Sequence, residues 1–231
     1  MNTPTSLTGG KLAAALLIIE PALFFAAFAV LAAAINWPAS LGLPFNEILP
    51  LINANLSQVR FGYSLYLTSS LLTIPLGLAL LIRLGKADQP SISLWLAAAF
   101  MAVAAMFKAL GIARWLVAMP ALANLLATDA AKGPAIEAAF TALNEYGGGT
   151  LGELLGVGLM TGLWALMLAL FLVSKMRLAA VFLAIGAMAS FALVPNEFYQ
   201  FAPTAALQAI GRTGIMIGQI LLAVAILRRK I

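Results

Sequence analysis

In a chain of 231 residues that is 63% hydrophobic and 9% charged, a mean hydropathy of +1.04 means far more apolar surface than one water-soluble core can bury. The lack of cysteine and histidine excludes a disulfide framework and thiolate chemistry, and removes the commonest metal ligand and the usual general base near neutral pH, so the only metal chemistry left open is carboxylate-only. The net charge of +5 does not point to nucleic acid, because the basic residues stand at the ends of apolar runs and form no solvated stripe with interleaved aromatics.

About 20 apolar residues cross a hydrocarbon layer roughly 30 Å thick, and the sequence offers six such runs: residues 12–35, 63–82, 92–112, 150–173, 178–194 and 205–227. The predicted fold is all-α, a polytopic membrane protein with six transmembrane helices and interfacial or re-entrant outer segments, forming a single bundle over residues 1–231. The first run has Lys11 before it and Ala32, Ala33 and Ala34 at its end, the outline of a signal peptide. It outruns an h-region of about 7–15 residues and reads as a retained helix. Residues 36–59 carry Pro38, Pro44 and Pro50 among scattered apolar side chains and read as a loop with short interfacial pieces. Residues 113–127 prolong the third run past the interruptions at Lys108, Gly111, Arg114 and Pro120. An extension, a kinked half-helix and a re-entrant segment packed on protein all fit that pattern. The outer region 113–149 is apolar and alanine-rich, suited to resting on the bilayer or capping the bundle.

Residues 142–156, ALNEYGGGTLGELLG, gather five glycines and two glutamates. A phosphate loop is excluded, since no lysine follows the final glycine and no strand precedes the first. Thr150 and Glu153 match a capping box, with Gly147, Gly148 and Gly149 as a flexible break between an interfacial helix and the fourth span. Gly152 and Gly156, Gly158 and Gly162, and Gly214 and Gly218 each form GxxxG, which predicts close packing inside the bundle or, as the alternative, a face for a second copy.

Positively charged loops stay on the cytoplasmic side. With both termini inside, Lys11, Arg83, Lys86, Lys175, Arg177, Arg228, Arg229 and Lys230 are all cytoplasmic, 8 of the 13 basic residues. Glu47, Asp129, Glu137, Glu145, Glu153 and Glu197 then fall outside, with Asp88 inside and Glu20 within a helix. Trp37 and Trp115 are expected at the outer boundary and Trp95 at the inner one, as interfacial aromatics.

Charges inside spans carry the functional signal, because an ionisable group near the bilayer centre costs at least about 2.5 kcal/mol and so faces protein or water. Glu20 and Arg212 each lie about 12 Å from the end of their run at 1.5 Å per residue, and their matched depth and opposite charge make them candidate partners. Lys108 lies further out, and Arg60 and Arg114 sit near the outer boundary with Glu145 and Glu153. Two readings stand: internal ion pairs and snorkelling side chains that fix helix register, or an outward-facing pocket in which Arg60, Lys108, Arg114 and Arg212 meet Glu145, Glu153 or an anionic ligand. Pro21 and Pro75 mark kinks and add little.

The runs RFGYSLYLTSSLLTIPLGLALLIRL (residues 60–84), ARWLVAMPALANLLA (113–127) and NEYGGGTLGELLGVGLMTGLW (144–164) resemble a family of bacterial six-helix inner-membrane proteins known as a domain of unknown function. The resemblance implies a bacterial inner-membrane location and an α-helical bundle. It supplies no activity and no catalytic residues. Three function classes stay open: binding or transport of a small, anionic ligand; a structural or accessory subunit of a membrane complex; and an enzyme working with carboxylates such as Glu145 and Glu153. Expected partners are the lipid bilayer, a small ligand and a second copy through the GxxxG faces. No nucleic acid, metal or cofactor is expected.

Overall fold

The computed structural model describes residues 5–85, 91–199 and 203–228. Lys86, Asp88, Arg229 and Lys230, used above for orientation, lie outside the described residues, as does the side chain of Glu197. The described residues are helical with short connections: α1 (Thr5–Ile35), a 3-10 turn (Ala39–Gly42), α2 (Phe45–Ala54), α3 (Leu56–Leu84), α4 (Ile92–Leu116), α5 (Ala118–Thr128), a second 3-10 turn (Ala130–Lys132), α6 (Gly133–Ala142), a π-helical segment (Leu143–Met160), α7 (Thr161–Leu172), α8 (Arg177–Tyr199) and α9 (Thr204–Leu227). Among the described residues six stretches are long and apolar enough to cross a membrane: Gly10–Ile35, Leu56–Leu84, Ile92–Thr128, Ala130–Leu172, Arg177–Asn196 and Thr204–Leu227. The protein is a multi-pass membrane protein, and its outward faces carry exposed Ile82, Leu110, Val117 and Leu170, which lipid solvates without penalty.

Each span packs on its neighbour in sequence, and α1 packs on α9, so the order α1, α3, α4, π segment and α7, α8, α9 closes into a ring. Glycine lets these helices approach. A Cβ on Gly214 would sit 2.9 Å from the backbone of Gly186 and Phe182, and one on Gly162 would sit 2.6 Å from the Phe191 ring. The three GxxxG pairs thus pack within the chain: Gly152 and Gly156 on α4, Gly158 and Gly162 on α8, and Gly214 and Gly218 on α8.

Two apolar cores form. One fills the half of the ring around Leu17, Leu80, Met101, Trp164, Leu168 and Leu222. The other, around Ile48, Ile52, Val59, Trp115, Met119 and Phe140, ties α2, α5 and α6 into a cap over the opposite end. Residues 113–127 therefore continue α4 as α5 after a break at Val117, and the apolar 113–149 region folds as this cap. Trp115 does not face outward as an interfacial anchor. Trp115 is 2% exposed and stacks on Tyr63, with centroids 5.1 Å apart and planes 6° off parallel, and Trp37 packs edge-on against Phe28 and Tyr66. Trp95, by contrast, is exposed.

The expected glycine break and capping box are absent. The chain runs helically from Gly133 through Gly147–Gly149 to Leu172, widening to π geometry over Leu143–Met160. The threonine hydroxyls show the wider pitch: Thr150 donates to the carbonyl of Glu145 at 3.3 Å and Thr161 to that of Gly156 at 2.8 Å, both five residues back. Unpaired backbone groups cost several kcal/mol in hydrocarbon, so a glycine run that would stop a helix in water is kept helical here.

Candidate functional site

Between the two cores lie two neighbouring chambers that share lining residues and carry charged side chains on largely apolar walls. The chamber nearer mid-bundle, about 80 Å³, is lined from α1, α3, α4, the π segment, α7, α8 and α9, and the one beneath the cap is about 30 Å³. Trp37, Tyr66, Lys108, Glu153 and Val157 border both. Trp37 reaches this position because α1 ends at Ile35 and is followed by Asn36, whose left-handed φ of 56° suits asparagine and turns the chain back over the bundle.

In the mid-bundle chamber Glu20 is 2% exposed and held from two other helices, α3 and α9. Arg212 Nη2 of α9 donates to its Oε1 at 2.8 Å, and Gln219 Nε2, two turns further along α9, donates to Oε2 at 3.2 Å. The Ser69 hydroxyl of α3 lies 3.1 Å from Oε1 and 2.9 Å from the Glu20 backbone carbonyl. The Arg212 guanidinium also covers the Phe24 ring at 4.1 Å, while its Nε has no partner. One turn before Arg212, Gln208 donates to Glu153 Oε2 at 2.7 Å, so one face of α9 serves carboxylates from both α1 and the π segment.

Beneath the cap the chemistry is different. Lys108 of α4 is only 9% exposed, borders both chambers, and has no hydrogen bond or ion pair within 4.0 Å among the described residues. Arg114, two turns further on, is half-buried, lies 5.2 Å from the Trp115 ring centre and leaves its Nε unpartnered. The π segment makes room for both cations with glycine. A Cβ on Gly156 would come within 3.1 Å of the Lys108 side chain, one on Gly148 would collide with the Arg114 guanidinium, and one on Gly111 of α4 would meet the Gly152 backbone at 2.7 Å. The glycines of the 142–156 stretch form a smooth face on which α4 lays its two cations.

Of the residues named from sequence, the cavity gathers Glu20, Lys108, Arg114, Glu153 and Arg212. Arg60 and Glu145 are exposed and do not line it. Glu153 faces Gln208 across the cavity and does not fold back to cap Thr150. Sequence reasoning missed Ser69, Gln208, Gln219, Trp37 and Tyr66. The amides had a readable signal, since Gln208, Arg212 and Gln219 recur at helical spacing on one face of a span. Among the described lining residues Lys108, Arg114 and Arg212 stand against Glu20 and Glu153, three cations to two carboxylates. Among the described residues no group of three His, Cys, Asp or Glu side chains is placed to hold a metal ion. Neither curated proteins nor solved structures yield a match to this chain. Residues 12–228 match the family described as a domain of unknown function, DUF4386, and the chain belongs to that family.

Proposed function

We propose that this protein binds a small anion within the membrane, as a binding or transport protein whose site is the cavity between the ring and its cap. One observation carries the reading: Lys108 is buried at membrane depth beside a cavity without a carboxylate in ion-pair reach. Such a cation is costly and is expected to meet a partner, and an anion entering the cavity supplies one. Arg114 adds a second cation at the same wall, its Nε without a partner, and Trp37 and Trp115 close it. The test is titration of the purified protein with sodium salts of small anions at constant ionic strength, following the fluorescence of those tryptophans. Saturable change that disappears in Lys108→Gln is expected. Absence of saturation by every anion, with Lys108→Gln indistinguishable from the native chain, would refute the reading.

The competing reading, a structural or accessory subunit, is supported by the Glu20, Arg212, Gln219 and Ser69 network, since register-fixing pairs need no ligand. Lys108 and Arg114 weigh against it because neither forms an ion pair among the described residues. A carboxylate enzyme would need Glu145 beside Glu153, and Glu145 is on the exposed surface. The positive-inside pattern supports a cytoplasmic-membrane location with both termini in the cytoplasm, the cap end facing outward and the cavity closest to the outer face.

A further inference from the structure

We infer that the ligand is a monoanion of a few non-hydrogen atoms, a short-chain carboxylate, which rests on the anion reading above and narrows it. Charge sets the valence. Among the described residues the cavity wall holds Lys108, Arg114 and Arg212 against Glu20 and Glu153, a surplus of one positive charge. A single negative charge brings the site to neutrality. A dianion would leave one charge uncompensated where water is scarce, and must shed a larger hydration shell to enter.

Volume sets the size. At about 10–15 Å³ for each water a cavity admits, the 80 Å³ chamber holds roughly five to eight, the space of an acid with a handful of heavy atoms. The larger pockets that take drug-sized ligands start near 300 Å³.

Shape and polarity distinguish a carboxylate from a spherical halide. Arg114 offers a planar fork that matches two coplanar oxygens, with its Nε still unpartnered, and Lys108 adds a point charge at the junction of the chambers. Glu153 at that junction repels the head group toward those cations. Behind it, Phe24, Val157, Leu193 and Ile215 line the mid-bundle chamber and accept a short apolar tail.

The test uses the full chain in nanodiscs, titrated at constant ionic strength with sodium formate, acetate, propionate, octanoate, chloride and sulfate. Tryptophan fluorescence and thermal shift are the readouts. Formate, acetate or propionate should saturate, with octanoate, chloride and sulfate each weaker by about tenfold or more, and Lys108→Gln should weaken the best acid by at least about tenfold, the size expected for losing a buried charged contact. Lys132→Gln, at an exposed pair with Asp129, should leave the titration unchanged. If Lys108→Gln does not fold, Arg114→Gln serves with the same expected loss. Saturation by sulfate, chloride or octanoate as tight as by acetate, lost in Lys108→Gln, overturns the short-carboxylate class and leaves an anion site standing. No saturation by any salt, with both variants like the native chain, removes the anion reading and this inference with it.

Discussion

Glu20→Gln is the sharpest test of what holds the ring together. The carboxylate is 2% exposed and takes the Arg212 guanidinium at 2.8 Å, the Gln219 amide at 3.2 Å and the Ser69 hydroxyl at 3.1 Å. Removing one member of a buried pair costs about 3–5 kcal/mol because the other charge stays behind unpaired. Arg212 keeps 21% exposure and its contact with the Phe24 ring, so the lower end, about 3 kcal/mol, is expected. Arg212→Gln should cost less, about 2 kcal/mol, since a stranded carboxylate keeps two hydrogen-bond donors, Ser69 and Gln219, whereas the guanidinium stranded by Glu20→Gln keeps, among the described residues, only the Phe24 ring. In the double variant no charge is stranded, and the loss falls toward that of the hydrogen bonds alone, about 0.6 and at most about 1.7 kcal/mol each within a membrane. Denaturant titration in detergent, read by helical circular dichroism for all four proteins, should therefore return a coupling of about 2 kcal/mol or more. Single losses that add to within about 0.5 kcal/mol would show that the pair does not act as one unit.

Glycine variants should separate packing from placement. Gly111→Ala meets the Gly152 backbone at 2.7 Å and should cost about 1–3 kcal/mol in a thermal melt, whereas Gly148→Ala meets only the movable Arg114 guanidinium and should cost less while displacing that cation and weakening the anion response. Lys108→Met should raise unfolding stability by about 1–3 kcal/mol, because it removes an unpaired buried charge, while abolishing the fluorescence response to anions; lowered stability would mean that the lysine has a structural partner. The chain has no cysteine, so single-cysteine probes report cleanly. Ser40 is buried and unsuited to labelling, but Ala39→Cys and Lys132→Cys should react with an impermeant thiol reagent in intact cells and Ser174→Cys only after permeabilisation, the reverse pattern inverting the orientation.

The spans were legible because hydrocarbon demands long uninterrupted apolar runs, and five of the six predicted runs fall within spans of the structure, the fourth overrunning its span by Val173 alone. Their ends were not, because α4 continues into α5 and the fourth span begins within the cap, where apolar residues face protein and lipid alike. The triple glycine was misread for a physical reason. In water Gly147–Gly149 would favour a stop, and Thr150 with Glu153 a fresh start. Between packed helices the backbone keeps its hydrogen bonds instead, and the glycines are used for close approach to Gly111, Lys108 and Arg114. That use leaves a trace in sequence: Gly148, Gly152 and Gly156 repeat every four residues and mark one helix face.

Depth alone could align Glu20 with Arg212, but it could not separate the two kinds of charge in this bundle. Glu20 and Arg212 offset each other and are braced by side chains from α3 and α9, so their burial strengthens the ring in one register. Lys108 and Arg114 receive no such support, yet the chain lays a four-residue glycine repeat against them and roofs them with Trp37 and Trp115. Glycine in a helix interior is itself unfavourable by about 1 kcal/mol per residue relative to alanine. An arrangement that spends helix stability to lodge two cations with no ion pair among the described residues beside a cavity is poorly explained by folding alone, and under the anion proposal a bound anion offsets the positive charge that Glu153 leaves over.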